Sequence, residues 1–183
     1  MLIRDKQDGV LVPIPQYPLY SALLTLDGGT MIKYFLKEDK KWGIDPEDIQ
    51  NRIKNAIDLG IKPRAIVVIN PGNPTGQVLR RESIEDIIKI CYENEILLMA
   101  DEVYQENTYL DDVPFISFRK VLAEMGTPYR DNVELVSMHS VSKGLMGECG
   151  FRGGYFETHN LDQFADEMLY KLKSIELCSN TVG

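Results

Sequence analysis

The apolar positions of the chain follow two periods. Ala65-Ile66-Val67-Val68-Ile69 is a β-branched run without alternation, the pattern of a strand buried on both faces of a parallel sheet. Ile96-Leu97-Leu98-Met99-Ala100 repeats it and stops abruptly at Asp101-Glu102, and residues 133–138 give a third such strand, ending in His139-Ser140. Nearer the start, Gly9-Val10-Leu11-Val12-Pro13-Ile14-Pro15 is short, apolar and proline-bounded, and residues 30–36 read as a further strand. Between these segments the spacing turns helical. Residues 20–26 read as a helix ended by Gly28-Gly29. Asp45-Pro46-Glu47 combines a capping carboxylate, a proline at the first helical position and an acid near the positive end of the dipole, and Ile49, Ile53, Ala56 and Ile57 continue at helical spacing. Ile84, Ile87, Ile88, Cys91 and Tyr92 form one apolar stripe, and Leu161, Phe164, Ala165, Met168 and Leu172 form another. Strand and helix in alternation predict an α/β fold, with a largely parallel sheet and helices on both faces. In such sheets ligands collect beyond the carboxyl ends of the strands, where the polar clusters of this chain lie.

Composition narrows the function classes without changing this picture. The 183 residues suffice for about one domain, and 44% hydrophobic with 26% charged residues argues against disordered or low-complexity classes. Twenty basic against 28 acidic residues give a net charge of -8, which speaks against nucleic acid or an anionic membrane as a partner. Cys91, Cys149 and Cys178 are odd in number and widely spaced, so neither a disulfide framework nor a zinc site is indicated. His139 and His159 cannot build a metal cluster alone and read as structural. With no apolar run of about 18 residues and no signal pattern in Met1-Leu2-Ile3-Arg4-Asp5-Lys6, the default reading is a soluble cytosolic chain.

Three polar clusters carry candidate chemistry. In Asn70-Pro71-Gly72-Asn73-Pro74-Thr75-Gly76, prolines fix φ and glycines allow sharp reversal, so the amide of Asn73 can be held rigidly at a strand end; a tight surface turn explains the same residues. Asp101-Glu102-Val103-Tyr104 puts a carboxylate directly past a buried strand with a phenol three residues on, or else is a helix cap. Ser140-Val141-Ser142-Lys143, followed by Gly144, Gly147, Gly150, Arg152, Gly153 and Gly154, offers an anion cradle beside an amine, or else an exposed glycine-rich loop. Together they supply an amide, a carboxylate, a phenol, an amine and an arginine from different loops on one sheet edge. That inventory suits a flat cationic heterocycle bearing a phosphate and an aldehyde.

Asn73-Pro74-Thr75-Gly76, Asp101-Glu102-Val103-Tyr104 and Ser140-Val141-Ser142-Lys143 with Arg152 resemble, in order and spacing, the pattern of fold-type I pyridoxal-phosphate aminotransferases. Residues 13–22 and 146–155 are similar to alanine aminotransferases in particular, with nine positions from Lys143 to Arg152 where many relatives have eight. The resemblance implies pyridoxal 5'-phosphate as cofactor, Lys143 as the Schiff-base lysine and Asp101 as the partner of the ring nitrogen. Asn73 and Tyr104 would hold the phenolic oxygen of the cofactor, and Tyr17 would stack on the ring. Ser140 and Arg152 would bind phosphate, with Ser142 a second donor. Cys149 reads as a bystander on the same loop.

The implied reaction is L-alanine plus 2-oxoglutarate to pyruvate plus L-glutamate, in a homodimer with amino-acid and 2-oxo-acid substrates. Another aminotransferase, a carbon-sulfur lyase or a cyclase of the subgroup shares the same lysine, aspartate and arginine. A regulatory domain that senses pyridoxal phosphate would need a basic DNA-binding segment, and a plain nucleotide-binding domain would need a glycine fingerprint after a strand. The family's N-terminal glycine-rich phosphate loop and C-terminal small domain are not visible in residues 1–183, so these residues are expected to be part of the cofactor-binding large domain. A targeting peptide, mitochondrial for example, would lie outside them.

Overall fold

Six strands form a single sheet in the order β2-β1-β3-β4-β5-β6. They are β1 (Asp8–Ile14), β2 (Thr30–Phe35), β3 (Lys62–Ile69), β4 (Leu97–Asp101), β5 (Leu135–Ser140) and β6 (Gly154–His159). The first five are parallel and β6 runs antiparallel to β5. Helices α1 (Leu19–Asp27), α2 (Pro46–Asp58), α3 (Arg81–Asn94), α4 (Phe118–Met125) and α5 (Tyr129–Asn132) accompany them. The structure is a computed structural model and describes residues 3–161 together with 167, 169 and 170.

The two faces of the sheet are covered differently. Leu11, Ile66, Val68, Leu98, Ala100 and Leu135 face α2, α3 and α4, where Ile49, Ile53, Ile84, Ile87, Ile88, Phe118, Val121 and Leu122 close the core. Val10, Val12, Ala65, Val67 and Ile69 alternate with them and pack on Leu24 of α1 and on Ile3. Helices on both faces explain why residues 65–69 carry no polar alternation. Removing each large apolar side chain of this core from water stabilises the fold by about 1.5–3 kcal/mol. At the amino end of β1 the buried Asp8 carboxylate accepts from Arg64 Nε at 2.6 Å and from Arg4 Nε at 3.2 Å, tying three segments together.

Helix boundaries follow the expected chemistry. Asp45 caps α2, its Oδ1 accepting from Glu47 N at 3.1 Å and Asp48 N at 3.4 Å, with Pro46 at the first turn. Gly28, at φ 74°, ends α1 in the left-handed region. Three elements go beyond the sequence reading. α4 is capped by Ser117, whose hydroxyl accepts from Lys120 N at 3.2 Å, and α5 is a single turn. β6 occupies a stretch that the sequence pattern leaves unassigned. β5 also runs later than expected, so that His139 and Ser140 belong to the strand. Of the helix expected over residues 161–172, Glu167, Leu169 and Tyr170 are helical, and the remainder lies almost wholly outside the described residues.

β6 matters to the cleft because Arg152 stands just before it. Gly154 pairs with Ser140, and a Cβ there would sit 2.6 Å from His139 O, a backbone atom with no freedom to yield. Gly154→Ala should therefore push β6 off β5 and destabilise the fold by roughly 1–3 kcal/mol. Urea titration followed by circular dichroism checks this, and an unchanged midpoint would show that the pairing tolerates a side chain.

Candidate active site

The carboxyl ends of β1, β3, β4 and β5 open onto one cleft of about 410 Å³. Tyr17, Asn73, Asp101, Tyr104, Ser140, Ser142, Lys143 and Arg152, singled out from the sequence on four separate segments, all line it. The volume lies in the usual range for small-molecule sites.

Each wall is built locally. Tyr17 comes from the β1–α1 connection and is half exposed, and Tyr20 follows in the first turn of α1. Asn73 rides on the β3–α3 turn, closed by Gly72 N to Gln77 O and Gly76 N to Gly72 O, both 2.9 Å, and anchored by Leu79 N donating to Asn70 Oδ1 at 2.9 Å. Asp101 ends β4 with 8% of its surface exposed. Its Oδ2 accepts from the Tyr20 hydroxyl at 2.5 Å, whereas among the described residues Oδ1 has only a long 3.5 Å contact from Val103 N. Burial raises the Asp101 carboxyl above the ordinary carboxylate range, and the Tyr20 hydrogen bond pulls the other way.

Opposite, the loop after β5 folds back on itself. Ser142 N donates to Ser140 Oγ at 3.1 Å, and Arg152, in the left-handed region at φ 51°, donates from one guanidinium nitrogen to Cys149 O at 3.0 Å and Ser142 Oγ at 3.4 Å. Two hydroxyls and a guanidinium thus converge on one side of the cleft, the grouping that binds phosphate. Lys143 Nζ lies 5.9 Å from the centre of the Tyr104 ring, and both residues line the cleft with that grouping and Asp101.

Other residues fall differently. His139 also lines the cleft and its Nδ1 is buried without a hydrogen-bond partner among the described residues, whereas His159 Nε2 sits 3.0 Å from Arg130 O, away from the site. Cys149 is exposed and donates to Ser142 O at 3.1 Å, holding the loop. Glu102, beside Asp101 in sequence, turns to the opposite face, where it accepts from Phe118 N at 2.8 Å and from the Ser137 hydroxyl. Tyr20 is the site residue that sequence reasoning missed. Its place three residues after Tyr17 at a helix start puts it at the same strand end but does not reveal the contact with Asp101.

A mostly parallel sheet with helices on both faces and a polar cleft at its strand ends is the fold that this chain shares with fold-type I aminotransferases. The chain belongs to the family described as aminotransferase class I and II, whose model matches residues 1–176. It is 52% identical over 184 residues to a probable mitochondrial alanine aminotransferase of Dictyostelium discoideum, covering 100% of this chain and 34% of that one. Glutamate–glyoxylate aminotransferase 1 of Arabidopsis thaliana is 52% identical over 179 residues, 98% of this chain and 37% of that one. Among solved structures, alanine aminotransferase from Pyrococcus furiosus superposes with a TM-score of 0.80 at 31% identity, covering 98% of this chain and 42% of that one. The chain spans about a third of the length of the curated relatives it matches.

The environment of Asp101 gives a pH-dependent prediction. Because its folded-state value is raised, the folded chain holds that proton more tightly than the unfolded one. The associated stability is full below the unfolded value and lost as pH rises through the folded one. Asp101→Asn removes this loss. Without added ligand, the melting temperature of the variant should gain on that of the parent as pH rises from about 3 to about 7. A constant difference across that range would show that the carboxyl is not desolvated.

Proposed function

We propose that the protein is a pyridoxal 5'-phosphate-dependent aminotransferase interconverting L-alanine and 2-oxoglutarate with pyruvate and L-glutamate. The observation that carries this reading is the convergence of Lys143, Asp101, Tyr104, Asn73, Ser140, Ser142 and Arg152 on one cleft.

The donor set fits the cofactor on the chemistry of each group. Lys143 Nζ is the amine to attach its aldehyde. Asp101, buried without an ion-pair partner among the described residues, suits a protonated ring nitrogen. Tyr104 and Asn73 are donors for a phenolic oxygen, Tyr17 offers an aromatic face, and Ser140, Ser142 and Arg152 suit a phosphate. When bound, pyridoxal phosphate supplies an aldehyde for amine exchange and a ring that withdraws electrons from the substrate α-carbon. Asp101 would favour the protonated form of the ring nitrogen. Lys143 Nζ would be the base that takes and returns the Cα proton. Arg152 contributes a planar fork that a lysine could not reproduce.

The substrate pair draws on the similarity to alanine aminotransferases. A second reading, with glyoxylate as amino acceptor, is favoured by the 52% identity to the Arabidopsis enzyme. Residues 1–183 are read as part of the cofactor-binding large domain, and the holoenzyme as a homodimer, in keeping with the exposure of Leu145, Met146 and Phe151 on the loop beside the cleft. Sedimentation of the holoenzyme tests the dimer. The cytosol is the proposed compartment, and cell fractionation that recovers the protein with mitochondria would replace it.

Borohydride reduction of the holoenzyme followed by peptide mapping should place the cofactor on Lys143; a label on Lys89, or on no lysine, would overturn the reading. Alanine-dependent pyruvate formation with 2-oxoglutarate or glyoxylate as acceptor then separates the two substrate assignments. Arg152→Lys should weaken cofactor retention by roughly tenfold or more, as expected when charge-assisted contacts to phosphate are lost. Unchanged retention would remove Arg152 from the site.

A further inference from the structure

We propose that Tyr20 is the positioning residue for Asp101, its hydroxyl donating to Oδ2 so that the carboxylate is fixed in rotation with Oδ1 left free to accept from a bound cation. The inference rests on the cofactor reading above. Among the described residues Tyr20 is the one side chain that hydrogen-bonds Asp101, across 81 positions of sequence at 2.5 Å. Both groups line the cleft, and Tyr20 enters it from the first turn of α1.

A carboxylate at a strand end can rotate about its last bond, and one strong donor removes that freedom by committing one oxygen. Oδ1, with only the 3.5 Å contact from Val103 N, retains acceptor capacity. The same bond favours the ionised form of a carboxyl that burial works to neutralise. Burial and the Asp101 charge push the Tyr20 phenol upward, as do Tyr17 and Tyr34 nearby, so it remains a donor throughout the neutral range. Glu102, the other acidic group beside Asp101, is committed to Phe118 N and Ser137 on the opposite face and cannot take over.

Tyr20→Phe in the holoenzyme keeps the ring and its packing but deletes the donor. Cofactor dissociation constant and kcat should each worsen by roughly ten- to a hundredfold, the range for a hydrogen bond to a charged group, with KM for alanine changed much less. The pH midpoint of the visible absorption of the bound cofactor should rise. A less well held Asp101 leaves the ring nitrogen less positive, and the nitrogen of the lysine linkage then becomes more basic. In an Asp101→Ala background, Tyr20→Phe should lose most of its effect on both readouts, because the hydroxyl acts through that carboxylate. An unmoved midpoint and affinity, or a full Tyr20→Phe effect persisting in the Asp101→Ala background, would overturn the inference and leave Tyr20 a packing residue. The two readings are separable by borohydride labelling. With Lys143 labelled in both proteins an unmoved midpoint sinks Tyr20 alone, whereas a parent with no label on Lys143 takes down the cofactor reading and this inference together.

Discussion

Asn70 N donates to Asp101 O over 2.9 Å and Glu102 N donates to Met138 O over 3.0 Å, and with these two bonds the parallel ladder of β3, β4 and β5 reaches the floor of the cleft. Parallel pairing aligns the carboxyl ends of neighbouring strands, so the chain leaves the sheet at one edge three times over. Asn73, Asp101 and Ser140 consequently take their places from backbone pairing, Asp101 and Ser140 as the last residues of β4 and β5 and Asn73 on the turn that follows β3. Their relative positions need no direct contact among them. This is why a site assembled from segments up to 135 positions apart, from Tyr17 to Arg152, can be rigid before any ligand arrives.

Alternation carried one residue past the end of β4 then divides two adjacent carboxylates between two tasks. Asp101 faces the cleft. Glu102, one residue on, faces the α4 side and accepts from the first backbone amide of α4 and from Ser137 of β5. Burial raises both carboxyls, yet Glu102 has its oxygens committed to protein donors, while Asp101 keeps one oxygen uncommitted. A shift of register by one residue would exchange these roles, which ties the chemistry of the site to the packing of β4.

What the sequence made legible follows the same physics. Runs such as residues 65–69 and 96–100 announce doubly buried strands, and the clusters behind them announce the cleft, because strand order has little influence on which end a turn leaves from. β6 escaped notice since Gly154, Tyr155, Phe156 and Glu157 are all exposed, leaving no alternation to read. α4 was readable in principle: Ser117 caps it, and Phe118, Val121, Leu122 and Met125 recur at helical spacing. Tyr20 was not, since its contact with Asp101 depends on β1 lying beside β3 and β3 beside β4, a topology that spacing along the chain does not encode.

The two buried aspartates show why Asp101 belongs to a binding site and Asp8 to the scaffold. Asp8, at the start of β1, is flanked by Arg64 and Arg4, and their hydrogen bonds hold its carboxyl down to about 2. Asp101, at the end of β4, is almost as buried but meets a neutral phenol and a backbone amide, and its carboxyl is pushed up. A fold selected for stability alone would pair the second carboxylate as it pairs the first, or replace it with an apolar residue. Leaving it desolvated, held by one donor and facing an open cleft keeps a free-energy gain in reserve for whichever cation docks against it. The protonated ring nitrogen of the cofactor proposed above would be such a cation, and the uncompensated charge of Asp101 would then favour one orientation of the ring.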